Sequence, residues 1–184
     1  MMPLPYLISA TGVFSALVND YISGNGTARD YVPYTPDLEG IKKAIQQRKF
    51  SAIQRQTLVS VLENQYQALG AVTHEKNTAA FEKVQGNIGL LKKDNCFAVT
   101  TAHQPNLFTG PLYFFYKIIH VIKLASALKA QFPENDFVPV YYMGSEDADL
   151  AEVGSYSIDG AKHQWKTKQT GAIGRMLVDD HLLQ

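Results

Sequence analysis

Phe97-Ala98-Val99-Thr100-Thr101-Ala102, then Pro111 to Gln131, then Val138-Pro139-Val140-Tyr141-Tyr142-Met143, is the stretch that decides the fold. The first run is short, with small and β-branched residues, as a strand requires. The loop His103-Gln104-Pro105-Asn106-Leu107-Phe108-Thr109-Gly110 follows. Pro111 suits the first position of a helix, where its missing N–H has no partner to lose. From Leu112 through Phe114, Phe115, Ile118, Ile119, Val121, Ile122, Leu124, Ala125 and Leu128 the pattern is apolar almost all round, which predicts a buried helix ending near Gln131. Pro133 to Asp136 form the return turn. Val138 to Met143 lacks the alternation of a half-buried strand, as expected of one covered on both faces. Strand, helix and strand make a βαβ unit, whose crossover is right-handed in nearly all known cases. Its parallel strands end on one edge of the sheet, where open α/β folds bind ligands. The loop at His103 and the acidic run after Met143 are expected to face each other there.

Upstream the texture changes. Residues 1–95 read as mainly helical and residues 96–184 as the first part of an α/β core, with no internal repeat. Phe14 to Ile22 has apolar residues at helical spacing and ends near Gly24. Asn25-Gly26 and Val32 to Pro36 read as loop. Leu38 to Gln47, Ala52 to Leu69 and about Asn77 to Leu90 read as helices. In the second of these, Leu58, Leu62, Tyr66 and Leu69 form the apolar stripe, and Gln54, Arg55, Gln56, Glu63, Asn64 and Gln65 the polar face. The expected role is a helical scaffold packed on the core.

Bulk properties narrow the function classes. With 46% hydrophobic and 18% charged residues the chain is globular rather than disordered. Seventeen basic against seventeen acidic residues leave no net charge, which argues against a nucleic-acid partner held by phosphate neutralisation. Cys96 is the single cysteine, so no disulfide forms within the chain; this suits a reducing cytoplasm, and a small core residue is its expected role. The first residues, Met1-Met2-Pro3-Leu4-Pro5, have no basic segment or long apolar run, so no secretory signal is expected. Tyr113 to Leu128 carries Lys117, His120 and Lys123, which fits a buried helix better than a membrane span.

Two clusters could carry chemistry. In the first loop, a helix start near Gly110-Pro111 offers free N–H groups and the positive dipole end to phosphate or carboxylate. Thr109 could cap that helix or bind a ligand, and Gly110 permits close backbone approach. The plain alternative is a tight turn in which His103 makes a structural hydrogen bond. Lys117, near the same helix start, needs a compensating partner: a bound anion, Glu146 or Asp147, or solvent. His120 lies one turn further on that face, where packing is the expected role. In the second cluster, Ser145-Glu146-Asp147-Ala148-Asp149 with Glu152 beyond, neighbouring carboxylates repel unless something positive is shared. Magnesium held with substrate phosphates would explain them, and so would a substrate amine. An acidic first turn of the next helix is the third explanation. No CxxC or HxxxH spacing supports zinc, and no GxSxG elbow supports serine hydrolysis. Gly171-Ala172-Ile173-Gly174-Arg175-Met176 reads as a turn, with Arg175 an anion contact or a surface charge.

The run Thr101 to Tyr113, then Lys117, Val138-Pro139-Val140, Ser145 to Asp149 with Glu152-Val153, and the Gly-x-x-Gly-Arg-Met turn at 171–176 resembles the bacillithiol biosynthesis cysteine-adding enzymes, the BshC family. The similarity is strong over about 97–178 and looser in the N-terminal helices, including Asn19-Asp20-Tyr21. The resemblance implies a Rossmann-like core related to nucleotidyltransferases, a helical coiled-coil insertion and a homodimer in the full-length protein. It implies a cytoplasmic ligase that joins the carboxyl group of cysteine to the amino group of glucosaminyl malate, with ATP and Mg as candidate cofactors. On it, His103 and Gln104 would act at the phosphoryl or acyl centre, and Glu146 and Asp147 would orient the amine or a metal. Asn106, Thr109, Gly110, Tyr113, Lys117, Ser145, Asp149 and Arg175 would bind substrate or nucleotide. The alternative is a nucleotidyl- or adenylyltransferase with another small substrate, and a non-catalytic assembly domain is a third. Position 148 is Ala where the family pattern has His, which removes any histidine role there. Family members are also longer, so the chain is expected to be an N-terminal piece.

Overall fold

A computed structural model describes residues 7–25, 28–48, 54–73, 78–107, 110–147 and 149–180. Two compact units divide the chain, Met1–Gln54 and Arg55–Gln184.

In the first unit, α1 spans Ala16–Ser23, α2 Ala28–Tyr31 and α3 Leu38–Arg48. Ser15 starts α1 by accepting from the Val18 N–H, and Gly24 ends it at φ 75°, a left-handed conformation glycine adopts without penalty. The Asp37 carboxylate accepts from Gly40 N at the start of α3. These match the sequence expectations for 14–24, 32–36 and 38–47; the short α2 was not anticipated.

The second unit contains α4 (Arg55–Thr73), α5 (Ala79–Leu90), β1 (Cys96–His103), α6 (Leu112–Gln131) and β2 (Asp136–Met143), then α7 (Leu150–Val153) and the hairpin β3 (Ser155–Ile158) and β4 (Ala161–Gln164). Strands β1 and β2 pair in parallel, from Cys96 opposite Asp136 to His103 opposite Met143. This is the βαβ unit read from the sequence. Val59, Ile88, Leu91, Cys96 and Val138 form a buried cluster, with Leu62, Tyr66, Val84 and Val140 packed on it. Thus α4 and α5 cover the sheet, each fully buried aliphatic side chain contributing about 1.5–3 kcal/mol.

Four expectations need correction. The packed face of α4 is rotated from the one expected: Val59 is fully buried, whereas Leu58 and Leu69 are exposed. Arg55, assigned to the polar face, turns inward and donates to the carbonyls of Leu91, Asp94 and Cys96. These carbonyls follow α5 and lead into β1, so a guanidinium with several donors holds the approach to the strand. Helix α6 is not buried all round. Val121, Ala125 and Leu128 are buried, but Leu112, Phe115, Tyr116, Ile119 and Ile122 are exposed. Two strands cover only one stripe of a helix. For the same reason Tyr142 and Met143, at the end of β2, are exposed rather than covered on both faces.

The N-terminal ends of the strands are held by charge. Asp136 accepts from Lys93 at 2.8 Å and from Lys129 at 2.9 Å, and Lys129 also donates to the carbonyls of Pro133 and Asn135. At the hairpin, Asp159 (φ 50°) and Gly160 (φ 81°) both have the positive φ that a tight two-residue turn needs. Among the described residues, no helix is long and apolar enough to cross a membrane.

Hydrogen bonds from Lys93 and then Lys129 hold the Asp136 carboxyl below its usual 3.8. A group lowered on folding stabilises the fold fully above its unfolded value, and this contribution is lost as pH falls through the folded value. Asp136→Asn is therefore expected to flatten the loss of structure below about pH 4; acid titration by circular dichroism checks it. Cys96 is 2% exposed, and burial, then the nearby Asp136 charge, pushes its thiol up. Cys96 should resist alkylation in the native protein and react once urea unfolds it, as read by peptide mapping; rapid native labelling would contradict this.

Candidate active site at the strand ends

Three chain segments meet beyond the C-terminal ends of β1 and β2. The first leaves β1 at His103. Its carbonyl accepts from Gly144 N and from the Tyr141 hydroxyl, both at 3.0 Å, which ties the exit of β1 to that of β2. The buried ring of His103 lies edge-on to Phe114, and Phe114 is edge-on to Tyr141. Burial raises the Tyr141 phenol, so it stays a neutral donor. Nε2 of His103 lies 2.5 Å from Tyr113 Oη, and its Nδ1 lies 2.9 Å from Asn106 Nδ2. Asn106 Nδ2 also donates to Gln104 O at 3.0 Å. Gly110 makes room for this arrangement. It sits at φ 63°, and a Cβ there would come within 2.6 Å of the Asn106 side chain.

The second segment leaves β2. Gln104 bridges to it, donating from Nε2 to Asp147 Oδ2 at 3.0 Å and to Glu152 Oε2 at 3.4 Å. The loop at His103 and the acidic run do face each other, as the parallel pairing required. Tyr142 donates to Glu146 Oε1 at 2.8 Å, and this bond, then the carboxylate charge, raises its phenol. Asp149 is engaged differently: its carboxylate caps α7, accepting from Glu152 N at 3.1 Å. The acidic run is therefore partly a helix start and partly a cluster turned to Gln104. Beside Glu146, Leu58, Leu62 and Tyr66 with Tyr142 and Met143 line a groove of about 650 Å³.

The third segment is the turn containing Ile173–Arg175. Ile173 N donates to Asp147 O and Gly174 N to Ser145 O, each at 2.8 Å. Gly174 has space only for hydrogen, since a Cβ there would lie 2.6 Å from that of Ser145. The turn brings Arg175, an exposed side chain, beside the acidic run. It is anchored behind by Gln169, whose carboxamide donates to Leu177 O at 2.8 Å and accepts from Leu177 N at 2.9 Å. The buried Trp165 donates to Asp179 at 2.8 Å.

Lys117 has a partner that the sequence did not suggest. Its Nζ donates to Ala102 O at 3.1 Å and lies 5.5 Å from the centre of the Tyr113 ring. Pro111 precedes α6 in extended conformation, one residue before its expected place in the first turn, and makes no side-chain cap. Thr109 and Ala148 lie outside the described residues. Tyr141, Tyr142, Trp165 and Gln169 were missed. Two adjacent tyrosines closing an otherwise aliphatic strand were a usable signal for the first two.

The comparisons with known proteins agree with this architecture. The family model described as bacillithiol biosynthesis BshC, N-terminal Rossmann-like domain, matches residues 2–184. A protein of Flavobacterium psychrophilum is 38% identical over 169 residues, covering 90% of this chain and 30% of its own length. One from Cytophaga hutchinsonii is 40% identical over 162 residues, covering 88% and 29%. A third, from Flavobacterium johnsoniae, is 38% identical over 168 residues, covering 90% and 30%. All three carry the name "Putative cysteine ligase BshC". The chain thus spans about 30% of the length of these relatives. A parallel βαβ unit with its polar loops at the strand ends, matched by that family model along nearly the whole chain, belongs to the BshC family as its N-terminal Rossmann-like domain.

Proposed function

We propose that this domain forms part of a cytoplasmic ligase that joins the carboxyl group of L-cysteine to the amino group of glucosaminyl malate, completing bacillithiol. The observation that carries the reading is the Gln104 bridge from the His103 loop to Asp147 and Glu152, in a chain of this family. Forming an amide from a carboxylate and an amine requires two things of a site. It must take up negative charge at the acyl centre, and it must hold the amine beside it.

The two loops divide that work. His103 and Gln104 line the place of the acyl or phosphoryl centre. The start of α6 behind Gly110 offers free N–H groups to an anion there, as the ends of helices do. Glu146 and Asp147 hold the amine or a metal. Arg175, carried in by the turn docked on Ser145 and Asp147, contacts an anionic group of the substrate.

ATP is the activating group in this reading, and its chemistry is to provide the carboxylate with a better leaving group. Asp147 and Glu152 meet the neutral amide of Gln104. Such a pair fits Mg that arrives on phosphates, an ion commonly held by one or two carboxylates. The full-length protein acts as a homodimer, with a coiled-coil insertion outside this domain.

The test uses full-length protein with cysteine and glucosaminyl malate, with and without ATP and Mg, and reads product by mass. The wild type is expected to form bacillithiol. His103→Ala and Glu146→Gln should each lower the rate by about 100-fold. Folded wild type that forms no product under any condition would overturn the ligase reading. Pyrophosphate release from ATP without cysteine would point to a nucleotidyltransferase instead.

A further inference from the structure

The groove beside Glu146 combines apolar walls with a single charge. Leu58, Leu62, Tyr66, Tyr142 and Met143 line much of its volume of about 650 Å³, and among the described residues Glu146 is the one charged residue lining it. A concave, mostly apolar surface with a few polar groups is the usual form of a small-molecule site. Tyr142 donates to Glu146 Oε1 at 2.8 Å, while Oε2 accepts no hydrogen bond among the described residues. That bond, then the carboxylate charge, raises the Tyr142 phenol, so the donor keeps its proton. A neutral donor orients the carboxylate and leaves its charge available to a cation.

Glu146 also lies close to the exit of β1. A Cβ at Gly144 would be 3.8 Å from His103 O and 4.0 Å from both Gln104 N and Glu146 Oε1. A ligand at this corner touches the carboxylate and the His103 loop together. An α-amino acid suits the corner, because its ammonium and its carboxylate share one carbon. Both substrates of the ligase reading carry an amine, and charge decides between them. Glucosaminyl malate brings two carboxylates, which would stand among apolar side chains beside the Glu146 charge with nothing positive to meet them. Cysteine brings one carboxylate, the reacting group, which turns out of the groove toward the His103 loop. Its thiol is a weak hydrogen-bonding group that apolar walls accept.

We infer that the end of the groove at Tyr142 and Glu146 is the subsite of the amino-acid substrate. Glu146 Oε2 holds the α-ammonium of cysteine, Tyr142 positions that carboxylate, and the thiol lies against the apolar wall. This deepens the ligase reading and rests on it for the identity of the amino acid. It divides the acidic pair, leaving Asp147, which is turned to Gln104, to the amine of glucosaminyl malate or to a metal. Met143 on the wall becomes a specificity determinant. A methyl or thiol group is accepted there, whereas a hydroxyl loses its hydrogen bonds to water.

Two measurements on the full-length protein test the subsite. The first is a calorimetric titration without ATP, using L-2-aminobutyrate, which has a methyl group in place of the thiol, and L-serine. 2-Aminobutyrate is expected to bind, serine to bind about tenfold more weakly, and Glu146→Gln to lose the binding. Glucosaminyl malate should leave 2-aminobutyrate in place. No binding of 2-aminobutyrate, equal binding of serine, or displacement by glucosaminyl malate would overturn the inference. The second measurement is ligase turnover. Tyr142→Phe, which loses only the hydroxyl, should raise the KM for cysteine about tenfold while kcat and the KM for glucosaminyl malate stay within about twofold. An unchanged KM for cysteine, or an equal rise in both KM values, would contradict the subsite. Met143→Gln, at an exposed position, should narrow the gap between serine and 2-aminobutyrate in the titration, and an unchanged gap would remove Met143 from the wall. If the wild type forms no bacillithiol, the ligase reading fails, and the titration alone decides whether the groove takes an amino acid.

Discussion

The parallel pairing of β1 with β2 is the constraint on which the site depends, because it decides that two separate chain exits share one edge. Parallel strands need a long crossover, and α6 supplies it. With His103 opposite Met143, the next backbone amide, that of Gly144, reaches the His103 carbonyl. A slip of one residue would turn every side chain of the strand to the other face. His103 would then leave Tyr113, and Gln104 would leave Asp147. The aromatic chain from His103 through Phe114 to Tyr141 guards the same register, since it links β1, α6 and β2 side by side.

The two ends of this short sheet differ in how charge is treated. At the N-terminal end, Asp136 is matched by Lys93 and Lys129, and the result is a structural clamp. At the C-terminal end, Asp147 and Glu152 meet the Gln104 amide and Glu146 meets the Tyr142 hydroxyl, all neutral donors. Neutral donors satisfy geometry and leave the negative charge in place. That contrast is the physical reason for looking for a ligand at one end and not at the other.

Much of the fold was legible because its signals are local. The β-branched run at 97–102, Pro111, the apolar helix and the aliphatic run at 138–143 each announce their element. The parallel pairing then follows from the connection length. The packed faces were less legible. The spacing of Leu58, Leu62, Tyr66 and Leu69 is a good helical stripe, yet Val59 carries the burial, because the angle at which α4 meets the sheet is a tertiary property. Arg55 reads as a surface cation until its three carbonyl acceptors come into place. For the candidate site, the juxtaposition of the two loops was readable and the partners were not. The Lys117 bond to Ala102 O and the capping role of Asp149 depend on rotamers that no spacing encodes. The hairpin at 155–164 carried an Asp-Gly turn signal that went unused.

The turn that ends at Met176 is held by its own amides on one side and by one carboxamide behind it. Gln169 grips the backbone of Leu177 as a neighbouring strand would, and the amides of Ile173 and Gly174 rest on the carbonyls of Asp147 and Ser145. Apart from the Gln169 carboxamide, these attachments use peptide groups, so they are indifferent to most other side chains there and strict about residue count. Substitution at 172 or 175 leaves the grip intact, whereas one added residue between 169 and 174 throws the amides out of step with their acceptors. Such a segment is free to vary its chemistry while its length stays fixed. It can thereby offer a different side chain to the strand ends without any rebuilding of the sheet beneath.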